Sequence, residues 1–232
     1  MTICYTTLLT SSLLSSISLH TIRTQIRRIL KSAVELPPNA TVLVDMSTIP
    51  ASPLLITAAR LKALSSLISD VRIFARIFGL LGIYRWGKAV LQNEEQDSVV
   101  RGITSVQVGC NVIFQILENG AYLSSKGVLG WNEQKQNRAW LWSCRFWMAH
   151  VLLDFGRLWR EREIAKAKEV GEKASNTGWE MAWWREVVVN GSWFPLTLHW
   201  SLEGGLLTDL GVGAFGSVCG ISGLQVLLKN AK

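Results

Sequence analysis

The chain has 232 residues, 24 Lys and Arg against 17 Asp and Glu for a net charge of +7, and is 49% hydrophobic but only 18% charged. This excludes disorder, and a mean hydropathy of +0.24 with eleven Trp leans toward a membrane rather than an ordinary soluble enzyme. Residues 1–93 carry ten basic and three acidic side chains and residues 94–232 fourteen of each, so the net charge is all N-terminal; its setting among apolar runs, with no nucleic-acid module, favours anionic lipid over nucleic acid as the partner.

The opening run TLLTSSLLSSISL is diluted by Ser and Thr and has no basic residue before Arg23, which makes a poor secretory signal. Residues 1–34 hold no acid and many Ser and Thr, which is also the composition of a mitochondrial transit peptide. In ISLHTIRTQIRRILKSAV, Ile22, Ile26, Ile29, Leu30 and Ala33 recur at helical spacing beside Arg23, Arg27, Arg28 and Lys31, which predicts a basic amphipathic helix over 17–34. Pro37 and Pro38 stop it, and residues 36–53 read as a linker in which TVLVDM is too short and isolated for a strand.

From Pro53 the chain runs past Leu91 without another proline, and the spacing predicts one long helix bent near Gly79 and Gly82. At about 100° per residue, Lys62, Ser65, Ser66, Ser69, Arg72 and Arg76 share one arc. Leu64, Leu67, Ile68, Val71, Phe74, Ala75 and Phe78 lie opposite, with Arg60 the exception. Such a helix packs on a soluble core or lies in a membrane surface, and a basic, small-residue polar face suits the second use.

After the polar break QNEEQD, residues 102–125 carry Glu118 as their only charge. At about 1.5 Å per residue the segment is long enough to cross a bilayer. Gln107, Asn111, Gln115, Glu118 and Tyr122 form a narrow polar stripe on this apolar cylinder. It should face other helices or a wet cavity, as interhelical hydrogen bonds or as the lining of a conduit.

Residues 139–168 predict another helix, rich in Trp and then strongly charged, with His150, Asp154, Arg157 and Glu161 spaced for a salt-bridge ladder. A catalytic His–Asp reading lacks any nucleophile motif nearby. VGEKASNTG reads as a loop, and two apolar stretches follow: 187–202, interrupted by Pro195, and 210–228, a plausible membrane segment without a charge. Ten of the eleven Trp fall between Trp131 and Trp200, many near segment ends, which fits interfacial anchoring or core packing.

GVGAFG at 211–216 matches the dinucleotide fingerprint by letter, but no strand and βαβ unit surround it and no acid follows it. Gly213, Gly216 and Gly220, with Ser217, instead make a small-residue strip for close helix packing. Cys4, Cys110, Cys144 and Cys219 have no zinc or disulfide spacing, so neither a metal nor a cofactor is expected. The sequons at Asn39 and Asn190 carry little weight without a secretory route, and the terminal NAK is no peroxisomal SKL-type address.

RIFGLLGIYRWG, then LENGAYL, RFWMAHVLLDFGRLWRERE and WWREVVVNGSWFPLTLHWSLEGGLL before a glycine-rich tail resemble the peroxin-eleven family of peroxisomal membrane proteins, in its gamma or fungal C-type branch. WSLEGGLL, with Pro195 before it, is the most specific part. The resemblance divides the chain into a divergent segment over 1–52, with its amphipathic helix and Pro-containing linker, and a helical membrane domain over 53–232. It implies an all-α integral membrane protein of the peroxisomal membrane, not an enzyme, with basic amphipathic surface helices and a glycine-rich C-terminal apolar helix. Such a protein remodels and elongates the membrane, promotes proliferation and fission, forms homo-oligomers, and works with a fission adaptor and a dynamin-type GTPase; a small-metabolite pore is the alternative. Carried onto this chain, Lys62, Arg72 and Arg76 would touch anionic phospholipid head groups. Leu64, Leu67, Ile68, Val71, Phe74 and Phe78 would wedge among acyl chains.

Overall fold

A computed structural model describes residues 1–34, 53–93, 97–169 and 177–231, and all regular structure among them is helical. Most of the expected linker over 36–53 (with Asn39), part of QNEEQD and most of VGEKASNTG lie outside the described residues. The helices are α1 (Thr2–Val34), α2 (Pro53–Ala75), α3 (Gly79–Gln92), α4 (Ser98–Ser125), α5 (Glu133–Glu169), α6 (Thr177–Trp200) and α7 (Asp209–Asn230).

The amphipathic helix expected over 17–34 is the second half of α1, which begins at Thr2. The Ser and Thr residues that dilute its first half do not interrupt it. Thr6, Thr7, Thr10 and Ser16 donate to the carbonyls of Thr2, Ile3, Thr6 and Ser12, one turn back, at 2.7–2.9 Å, so their hydroxyls are satisfied within the helix. By length and composition Thr2–Arg27 is one of three helices able to cross a membrane, with Ser98–Ser125 and Asp209–Lys229; only the last two stand out in the sequence.

The long helix expected from Pro53 is two helices, α2 and α3, joined by a 3-10 turn over Arg76–Phe78. The break has a cause on α4. Gln115 Nε2 donates to the Arg76 carbonyl at 2.6 Å, and a side chain that captures a helical carbonyl disturbs the ladder there. Gly79 makes room: a Cβ on it would sit 2.7 Å from Gln115 Oε1.

Helix α1 lies between α2 and α7, α4 packs along α5, α6 joins α5 to α7, and α3 rests on α4. Aromatic rings close the centre: Trp147 of α5 meets Phe114 at 5.6 Å, Trp193 at 4.9 Å and stacks on Trp200 at 5.6 Å. Pro195 does not interrupt its stretch, because α6 runs through it and buries Leu196 and Thr197 directly after it. The WSLEGGLL segment makes the α6–α7 turn. Gly204 and Gly205 have φ of 86° and 64°, which only glycine adopts without strain, and the returning N–H groups of Leu206 and Leu207 donate to His199 Nδ1 at 2.7 and 2.8 Å.

Asp97 caps α4, accepting from Val99 and Val100 N–H at 3.1 and 3.2 Å while Arg160 of α5 donates to both of its oxygens. The Arg160 hydrogen bond, then the backbone donors, hold this carboxyl at about 2, below the ordinary 3.8. A depressed carboxylate contributes its full stabilisation above the unfolded value and loses it as pH falls through the folded one. Asp97→Asn is therefore expected to keep the cap and lose the ion pair, and Asp97→Ala to lose both. Thermal melts in detergent check this: at neutral pH the order should be wild type, Asn, Ala, and as the pH approaches 2 wild type should fall toward the Asn variant while Ala, without the cap, stays lowest.

Candidate functional site

On α2 the polar arc turns inward at Ser65, Ser69, Arg72 and Arg76, with Ala58 buried beside them, while Lys62 and Ser66 of the same arc stay exposed. Ser65 is buried on α1, donating to the Cys4 carbonyl at 2.8 Å, and Ser11 of α1 donates to the Ala58 carbonyl at 2.8 Å. Leu64, Leu67, Val71, Phe74 and Phe78 face outward, Leu67 61% and Phe78 67% exposed, with Ile68 half-buried beside them. The stripe continues on α3 through Leu81, Tyr84 and Leu91. Burying one such side chain is worth about 1.5–3 kcal/mol, so an open row of eight is costly in water and suited to lipid.

The basic residues of α2 do not share that outward surface. Lys62 is exposed and pairs with Asp209. Arg72 turns in over the Tyr5 ring of α1, 5.2 Å from its centroid, and Arg76 pairs with Glu118 of α4 at 3.1 Å. Arg60, Arg85 and Lys88 are exposed.

The polar stripe of α4 faces helices. Gln107 is buried and donates to Asp154 Oδ1 at 3.0 Å and to the His150 carbonyl at 3.2 Å; Asn111 meets His150 Nδ1 at 2.9 Å. Gln115 and Glu118 turn to the 3-10 turn, through the Arg76 carbonyl and the Arg76 guanidinium. Asp154 also accepts from Asn190 of α6 at 2.6 Å and from Arg157 at 2.7 Å, and Arg157 reaches on to Glu161 and Glu186. The expected ladder thus becomes a junction of α4, α5 and α6. His150 takes its contact from Asn111 and the Trp86 ring rather than Asp154.

Gly213, Gly216 and Gly220 of α7 lie against α1. A Cβ on Gly213 would sit 2.8 Å from the Leu9 Cα, one on Gly220 2.7 Å from the Thr2 Cα, and one on Gly216 would enter the Tyr5 ring. Thr2 Oγ1 donates to the Gly220 carbonyl at 2.9 Å. GVGAFG is helical throughout, with Thr208 as its N-cap. The four cysteines are unpaired, and among the described residues no cluster of His, Cys, Asp and Glu could hold a metal. Sequence reasoning missed Tyr5, which meets Gly216, Arg72 and Trp193 at one point; a lone Tyr in a Ser- and Thr-rich run gives no periodic signal.

A bundle with three potential spans, an apolar exterior and a polar interior defines a helical membrane protein. The family described as peroxisomal biogenesis factor 11 (PEX11) matches residues 54–181, from α2 into α6 and more than half of the chain. The chain belongs to this family: it is a peroxisomal membrane protein with a part in peroxisome biogenesis and proliferation, in a family of biogenesis factors rather than enzymes. It is also similar to an uncharacterised protein of Schizosaccharomyces pombe, 27% identical over 157 residues that cover 66% of this chain and 72% of the relative. No solved structure matches it.

The glycine contacts set an expectation for stability in detergent. Gly216→Leu and Gly220→Leu should each destabilise by about 1–3 kcal/mol, the usual cost of overpacking. Gly223→Leu, where a Cβ meets nothing within 4 Å, should be neutral. Melting temperatures of the three variants provide the check, and equal effects at 216, 220 and 223 would contradict close packing of α7 on α1.

Proposed function

We propose that this protein elongates the peroxisomal membrane by seating the outer face of α2 and α3 in one leaflet, and so promotes proliferation and fission. The carrying observation is the outward apolar stripe, from Leu64 through Phe78 to Leu91. A wedge of Leu64, Leu67, Ile68, Val71, Phe74 and Phe78 that expands one leaflet more than the other favours curvature. Contact with anionic phospholipid head groups falls to Lys62 with Arg60, Arg85 and Lys88, because Arg72 and Arg76 are engaged inside. The basic residues exposed on α1, Arg23, Arg27 and Lys31, add to the same attraction. Homo-oligomers, a fission adaptor and a dynamin-type GTPase complete this reading as the family's working partners. A small-metabolite pore along Gln107, Asn111, Gln115 and Glu118 has less support, since these side chains are committed to helix partners.

Reconstitution into anionic liposomes tests the proposal. Wild-type protein should draw tubules, and Leu67→Ser/Phe74→Ser/Phe78→Ser should insert yet tubulate several-fold less, since three apolar anchors worth about 1.5–3 kcal/mol each are withdrawn. Undiminished tubulation by the triple variant would contradict the wedge. Steady conductance in planar bilayers without tubulation would favour the pore.

A further inference from the structure

A cavity of about 420 Å³ opens among α1, α2, α4, α5 and α6, with apolar walls of Trp140, Leu141, Trp147 and Trp200. Tyr5, Arg72, Arg76 and Glu118 supply its polar side, and the exposed Asn137 stands at its edge. The polar groups are incompletely matched among the described residues. Arg72 has no carboxylate within 4 Å, and its guanidinium lies over the Tyr5 ring. Arg76 bonds Glu118 Oε1 through Nη2, while the buried Arg76 Nε and Glu118 Oε2 have no hydrogen-bond partner. The Glu118 side chain is only 6% exposed. A buried charge-bearing group without a partner carries a desolvation cost that a ligand can relieve.

The unmet needs are of two kinds, set side by side. Two guanidinium groups call for an anion with several acceptor oxygens, which a phosphate supplies well, and the Glu118 carboxylate calls for an N–H donor beside it. Two arginines against one carboxylate leave a net positive charge. Glu118 lies seven residues before the end of α4, about 10 Å in at 1.5 Å per residue, which in a helix spanning a bilayer of about 40–45 Å is a few ångströms below the boundary between head group and acyl chain. The volume holds a head group and its glycerol end against the tryptophans, with the acyl chains left outside.

We propose that this cavity is a binding site for a phospholipid head group that carries a primary amine, a phosphoethanolamine, with the phosphate on Arg72 and Arg76 and the ammonium on Glu118. Phosphocholine lacks the N–H donor and leaves Glu118 Oε2 unmatched, so the site discriminates between the two zwitterionic lipids. The site is separate from the outward stripe of α2 and α3, and it stands whether or not that stripe bends membranes.

Full-length protein in detergent is titrated with dihexanoyl-phosphatidylethanolamine, dihexanoyl-phosphatidylcholine and water-soluble phosphoethanolamine, with binding read by calorimetry and by the shift in melting temperature. The ethanolamine lipid should bind about tenfold or more tighter than the choline lipid, the scale of one charge-assisted hydrogen bond. Glu118→Gln should abolish that preference, and Arg72→Gln should weaken both lipids by about tenfold. Cys144→Phe, which fills the cavity and leaves every charged side chain in the sequence, should abolish binding with the fold retained, and it decides the matter if the charge variants do not fold. Equal binding of the two lipids, a preference that survives Glu118→Gln, or binding undiminished by Cys144→Phe would overturn the proposal. Phosphoethanolamine binding as tightly as its lipid would overturn the lipid assignment in favour of a soluble phosphate ester.

Discussion

The structure depends on one constraint: the outer surface is apolar, so polar side chains that turn inward must find partners in the bundle. Asp154 shows how this is met, with acceptor sites filled by Gln107, Asn190 and Arg157 from three helices. Between α1 and α2 the Ser11 hydroxyl donates to the Ala58 carbonyl. In lipid there is little hydrophobic drive to bring helices together, so these bonds and the close backbone approach at glycine carry the association. Glycines make that approach possible on α7, and small residues do so on α2.

The same constraint shapes the proposed interface. A helix with serines and alanine inside and leucines and phenylalanines outside is inverted with respect to a soluble bundle. The 3-10 turn at Arg76–Phe78 lets α2 and α3 present their apolar rows in sequence, and its origin is a glutamine on α4. Arg76 is held from both sides there, its carbonyl by Gln115 and its guanidinium by Glu118. The turn is thus a joint between the membrane-facing pair and the buried stripe.

Much of this was legible in the sequence, and the remainder was lost for identifiable reasons. Helices α4 and α7 announce themselves by long apolar runs, and the motifs from RIFGLLGIYRWG to WSLEGGLL carry the family. The two arcs of α2 follow from periodicity, but periodicity alone cannot say which arc faces protein when the solvent is lipid, so Arg72 and Arg76 were expected outside and lie inside. The first half of α1 was lost because Ser and Thr count as dilution in a hydropathy reading, although each hydroxyl bonded to the preceding turn presents little polarity. The bend near Gly79 was legible, but its cause, Gln115, and the partner of Gly216, Tyr5, were lost because they lie far off in sequence.

The central claim is the inverted orientation of α2, and nitroxide accessibility in liposomes tests it most directly. Labels placed singly at Leu67, Phe74 and Ala58 of full-length protein should divide by face. At Leu67 and Phe74, collision with oxygen should be frequent and collision with a water-soluble nickel chelate rare. At Ala58 both should be rare. Frequent nickel collisions at Leu67 and Phe74, or oxygen exposure at Ala58 equal to theirs, would contradict the account.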